Sequence, residues 1–206
     1  MAHPDFLDPI QIQYYEKNDF ADATAGYLSR SDNGYFKVAM ILRSIGFKTG
    51  TLDDSVIGWG VNLSGNYHVD NRNTIKYQLV TGEGIGRYMN DACCSFYSNT
   101  TGGSDAGLNN QGDLEAIALN GGLVYLDHAW NDHYTSSVGI SYLDIDNLST
   151  QVDRALNKSL YSTVNVIWNP TPMSRVGAEL QYGEVESFAG EKADNTRFQF
   201  SVGFKY

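Results

Sequence analysis

The stretch Ile57-Gly-Trp-Gly-Val-Asn-Leu-Ser-Gly-Asn-Tyr-His-Val69 alternates from end to end. Ile57, Trp59, Val61, Leu63, Tyr67 and Val69 are apolar or aromatic, and Gly58, Gly60, Asn62, Ser64, Asn66 and His68 sit between them. A period of two predicts a β-strand with one greasy and one wet face. The run is long for a strand of a soluble protein. Its greasy face is also rich in aromatics, which raises the question of which face is the outside.

The composition bears on that question. The 206 residues include 21 Gly, 14 Tyr and 9 Phe against 4 Pro and 2 Cys. Mean hydropathy is negative, whereas a soluble β-sandwich of this size needs a Val/Ile/Leu core between its sheets. The net charge of −10 argues against a nucleic-acid-binding surface. No run of about 18 apolar residues predicts a transmembrane helix, and the start, MAHPDFLDP, lacks the basic and apolar regions of a signal peptide. Cys93 and Cys94 are adjacent and lack the spaced partners of a zinc site, so they read as loop thiols without a defined role.

Segments like 57–69 recur. Ten are readable, at 9–17, 21–30, 35–47, 55–69, 74–85, 116–130, 134–146, 158–168, 175–186 and 196–206. Their connectors alternate in length. Those at 31–34, 70–73, 131–133 and 169–174 are tight and turn-rich. Those at 48–54, 86–115, 147–157 and 187–195 are longer, and only 18–20 breaks the rhythm. Short turns at one end and long loops at the other mark a barrel that spans the outer membrane. The apolar parity carries no charge through the middle of a segment: Phe36, Val38, Met40 and Leu42 form one such face, and Val176, Ala178, Leu180 and Tyr182 another. Lipid demands this, because a charge at the midplane costs about 2–4 kcal/mol. Segment 116–130 resists assignment, since Asp127 and His128 fall on opposite parities. Backbone groups facing lipid must all be paired, so the sheet is expected to close. Trp59, Trp130 and Trp168 lie near segment ends, as in an interfacial girdle. The last segment ends on the aromatic Tyr206, with Phe198, Phe200, Val202 and Phe204 on its face.

Five stretches, VNLSGNYHVDNRNTIKYQLVTGEGIGRYMND (61–91), GGSDAGLNNQGDLEAI (102–117), SYLDIDNLS (141–149), YSTVNVIWNP (161–170) and NTRFQFSVGFKY (195–206), resemble in this order the C-terminal part of DcaP-like porins of Gram-negative outer membranes. The resemblance implies an all-β, antiparallel transmembrane β-barrel. It also implies a homotrimer, sixteen strands per barrel, and passage of small, often anionic solutes such as dicarboxylates. With about ten readable strands, residues 1–206 read as a single small barrel domain or as the C-terminal portion of a sixteen-stranded porin.

If the apolar parity faces lipid, the other parity faces the lumen. Its basic members are Arg30, Lys37, Arg43, Lys76, Arg197 and Lys205, and rings of Arg or Lys select anions. Arg43, Lys76 and Arg197 are expected to form an anion-attracting ladder, with Arg30 and Lys205 at the periplasmic rim and Glu179 on the opposing polar wall. The connector 86–115 is the expected extracellular constriction loop, carrying Arg87, Asp91, Asp105 and Asp113. No calcium-loop, phosphate-loop or Ser–His pattern holds up, so no metal, no cofactor and no enzymatic activity are expected. The expectation is an outer-membrane porin for passive diffusion, whose partners are membrane lipid, lipopolysaccharide and small anionic solutes. The alternative is a non-conducting structural or adhesion barrel with a plugged lumen.

Overall fold

The structure, a computed structural model, describes residues 15, 16, 18–49, 52–89, 92 and 105–205. Segment residues 9–14, Asp91, Cys93, Cys94 and the terminal Tyr206 lie outside the described residues. Twelve strands are present among those described: β1 (Tyr15–Glu16), β2 (Ala23–Ser31), β3 (Gly34–Thr49), β4 (Leu52–His68), β5 (Asn73–Glu83), β6 (Ala106–Leu108), β7 (Leu114–Ala116), β8 (Ala118–Ala129), β9 (Tyr134–Asp146), β10 (Leu156–Thr171), β11 (Ser174–Ser187) and β12 (Lys192–Phe204). All but β6 and β7 belong to one antiparallel meander, and β6 and β7 form a small hairpin of their own.

The first two expected segments are not neighbouring strands. β1 pairs with Phe47 and Lys48 of β3, and β2 pairs with residues 34–42 of that same strand. They are two parts of one interrupted edge strand, which explains why connector 18–20 broke the rhythm. Nine strand positions therefore lie side by side, and among the described residues the sheet stays open between β2 and β12. In an antiparallel meander the first and ninth strands run the same way. These two edges therefore cannot close on each other by the antiparallel pairing used everywhere else, and the described residues do not close as a ten-stranded barrel.

The connector rhythm is also modified. β3 and β4 stay paired out to Thr49 and Leu52, so the expected 48–54 loop shrinks to the link at 50–51. The loop at 187–195 shrinks to 188–191. The connector between β5 and β8 remains the longest. At the opposite end the turns stay tight. Gly34 closes the β2–β3 turn with φ +129°, where a Cβ would lie 2.2 Å from the Asn66 carbonyl oxygen; only glycine fits there.

Register settles the faces. Tyr67, Ile75, Leu126, Val138, Val164, Leu180 and Phe198 form one unbroken cross-strand row through seven strands. The row is uncharged and, apart from the half-buried Ile75, solvent-exposed, rising to 70% exposure at Phe198. So large an apolar patch on a water-facing surface is abnormal, and in lipid it is required. Segment 116–130 takes its parity from its neighbours. Leu126 pairs with Ile75 on the apolar face, so Tyr125 and Asp127 fall on the polar face. His128 stays on the apolar side at the short-turn end, edge-on to Trp130 with ring centroids 4.4 Å apart. Tyr134 stacks on Trp168 nearby. These rings sit where an interfacial girdle belongs.

The buried hydrophobic residues lie elsewhere. Val80, Ile85, Ala92, Ile117, Leu119, Leu143 and Ile145 form a cluster with Ile41, Met89, Leu148 and Leu156 packed against it. Its members on β3, β5, β8 and β9, namely Ile41, Val80, Leu119, Leu143 and Ile145, occupy the polar parity, at the end carrying the long connector.

Candidate functional site: the polar wall and its inward connector

The polar face has two zones. The first is a wall of hydrophilic rows. One cross-strand row runs Arg30, Tyr35, Asn66, Lys76, Tyr125, Gly139, Thr163, Gln181, Arg197 across all nine strand positions. It places three of the expected cations on one cross-strand row, with Arg30 beside the β2–β3 turn and Lys76 and Arg197 progressively farther from the short turns. Lys37 lies one polar row nearer the connector end, level with Ser64 and Gln78. Glu179 lies one polar row nearer the short turns, beside Asn165 and Gln199. Lys205 follows β12 and bonds through its backbone N–H to the Met173 carbonyl at the short-turn end.

These groups differ in how far they are neutralised. The Lys76 ammonium lies 2.5 Å from an Asp127 carboxylate oxygen, and Ser137 donates to the other oxygen at 2.6 Å. One Glu179 oxygen accepts from Thr163 at 2.8 Å and from Gln181 at 2.6 Å. Arg30, Lys37 and Arg197 are exposed and make no ion pair with a described residue. The Tyr125 ring lies over Gly139 in this row. A Cβ at Gly139 would lie 2.2 Å from the Tyr125 ring, so the missing side chain makes room for that ring.

The second zone is at the connector end, and there the wall is covered. Gly84, in the left-handed region at φ +70°, turns the chain after β5. Its N–H donates to the Ile117 carbonyl at 2.9 Å, which ties the two ends of the connector together. Ile85 then lies against Gly60 and Gly82, where an added Cβ would meet its Cδ1 at 2.8 and 2.9 Å. At Gly58 an added Cβ would meet Ile45 at 2.9 Å and Arg43 at 3.0 Å. The glycines of the IGWG stretch thus form a seat for an inward-folded segment.

Arg43 anchors that segment. It is eight residues along β3 from Tyr35, so it stands about 27 Å from the Arg30–Lys76–Arg197 row at strand spacing. Its side chain is buried, with 1% of the residue exposed. The Nη1 group donates to the Gly84 carbonyl at 2.9 Å and to Asp105 at 2.9 Å. Nε has no hydrogen-bond partner and faces an Asp22 oxygen at 3.5 Å, an ion contact only. The guanidinium sits 5.3 Å from the Tyr88 ring centre, and the Tyr88 hydroxyl donates to Asp22. That bond to a carboxylate raises the Tyr88 phenol above its ordinary value. Asp105 also accepts from the Arg87 backbone N–H at 2.8 Å and from its Nε at 2.6 Å. Asp113 lies in the β6–β7 turn, where its N–H bonds to Asn109. Asp91 lies outside the described residues.

Four participants were not singled out from the sequence: Asp22, Gly58, Gly60 and Ile85. The available signal was the apolar character of Ile41, Val80, Leu119, Leu143 and Ile145 on the wet parity. A lumen wall turns apolar where something packs on it. The three described histidines bond to Thr74, Asn73 and the Asn169 carbonyl.

No protein-family model matches the chain, and no curated protein matches it. Among solved structures, the outer membrane channel DcaP of Acinetobacter baumannii superposes with a TM-score of 0.78 at 16% identity. The match covers 94% of this chain and 54% of that one, so this chain spans about half the length of the channel it matches. The NanC porin is also similar, at TM-score 0.45 and 7% identity, over 94% of this chain and 97% of that one. The nine strand positions therefore share the antiparallel sheet of about half of an outer-membrane channel's β-barrel.

Proposed function

We propose that the chain forms the wall of an outer-membrane porin that passes small solutes by passive diffusion and prefers anions. One observation carries the preference: Arg30, Lys37 and Arg197 are exposed on the inner face and unpaired among the described residues, whereas Lys76 is neutralised by Asp127. An exposed guanidinium or ammonium lining a pore attracts carboxylates and phosphates. The fold shared with an outer-membrane channel supports both the pore and a bacterial outer-membrane location, and a homotrimer belongs to the same reading. The buried cluster and inward connector favour a lumen narrowed at the connector end over an open tube.

The test is reversal potential in a planar bilayer under a KCl gradient. The protein is expected to conduct with a chloride preference. The triple variant Arg30→Gln, Lys37→Gln, Arg197→Gln should lose that preference while retaining conductance. An unchanged reversal potential removes the anion assignment. Absence of current from the folded protein removes the channel itself and favours the non-conducting barrel.

A further inference from the structure

The inward connector is held by ionic contacts as well as by packing. Asp105 is 5% exposed and lies between two guanidinium groups, Arg43 at 2.9 Å and Arg87 at 2.6 Å. Its backbone carbonyl accepts from the Ile117 N–H at 2.9 Å. This one residue thereby joins strand β3, the 3₁₀ turn Gly86–Tyr88 and the segment that leads into β8. Leu114 adds a second tether farther along, its N–H donating to Asp54 of β4 at 2.9 Å.

We propose that the Asp105–Arg43 pair is a latch that keeps the two described ends of the connector, 84–89 and 105–117, docked at the glycine seat, so that they set the width of the pore; this rests on the channel reading above. Arg43 is thereby a positioning residue and does not contact solute. The charge arithmetic gives the direction. With Asp105 present, its carboxylate offsets the buried Arg43 and the neighbouring Arg87. Without it, the buried Arg43 guanidinium loses its closest carboxylate and keeps the Asp22 contact at 3.5 Å. Release of the connector is the cheapest way to rehydrate Arg43. The glycine seat makes docking possible and the latch makes it persist.

Two measurements test this on the full chain in detergent and in bilayers. In Asp105→Asn, which keeps the shape and removes the charge, amide exchange at Gly84, Arg87 and Ile117 should speed up about tenfold or more, while β10 and β11 amides stay protected. Single-channel conductance should rise. Gly60→Val displaces Ile85 without touching the ion pair and should reproduce both effects, which covers the case where Asp105→Asn does not assemble. Wild-type exchange at all three amides in both variants overturns the latch, as does wild-type conductance with exchange accelerated only locally. A wild-type protein that carries no current counts against the channel reading alone, because the exchange measurement still judges the latch.

Discussion

Arg43 and Arg197 share a parity, a charge and a strand context, yet they occupy opposite environments. Arg197 lies on a nine-strand row whose other members are polar or glycine, and its head group is exposed. Arg43 lies at the connector end, 1% exposed, bonded to Asp105 and the Gly84 carbonyl. The difference is what covers the wall. A strand presents both arginines to the same side, but only at one end does another segment fold onto that side. Arginine on the inner face of a barrel is therefore a solute-binding candidate only where nothing packs over it.

Substitutions can break this contrast, starting with the strongest effect. Arg43→Met should destabilise the protein by about 3–5 kcal/mol, since it strips one partner from a buried charge pair. Chemical unfolding in detergent measures this, and a loss near zero would mean that Arg43 is as free as Arg197. Next, adjacent residues on opposite faces of β11 test the inside–outside assignment. Leu180→Arg should cost about 2–4 kcal/mol, as a charge in lipid does. Gln181→Arg should fold normally, because it points into the polar row; equal costs would remove the assignment. Lys76→Met should cost no more than about 1 kcal/mol, because both partners are partly exposed. The smallest effect is alkaline. Tyr88 ionises above the ordinary tyrosine value, so its bond to Asp22 is intact at neutral pH and is lost as pH rises through that raised value. Ultraviolet titration of the wild type against Tyr88→Phe should show one late-ionising tyrosine fewer in the variant.

The legible part of the fold was the alternation. Val164, Leu180 and Phe198 each show their parity locally, and parity is the same whether or not the partner strand is known. Segment 116–130 was illegible because its own residues conflict, and Leu126 opposite Ile75 decides it. The interrupted edge was illegible for a different reason. Residues 9–17 and 21–30 each alternate, and nothing local says that Tyr15–Glu16 and Ala23–Ser31 both pair with β3. Within the site, the types of residue were readable and their grouping was not. Arg30, beside the β2–β3 turn, shares a cross-strand row with Lys76 and Arg197, which lie farther from their turns, because strand stagger shifts each row relative to the turns.

The stretch Ile57–Val69 illustrates the division. By itself it determined an extended strand, one greasy face, one wet face, and which residues go where. That information is local, set by the two-residue period of the backbone. Only the tertiary structure decided what each wet residue meets. Ser64 and Asn66 lie on the polar rows that carry Lys37 and Lys76, Asn62 stands opposite Val80 at the edge of the buried cluster, and Gly58 and Gly60 lie under the connector. Contacts between Gly60 and Ile85, or between Arg43 and Asp105, join residues far apart in the chain. Their geometry depends on where the whole sheet brings the connector back, and no spacing within a strand encodes that.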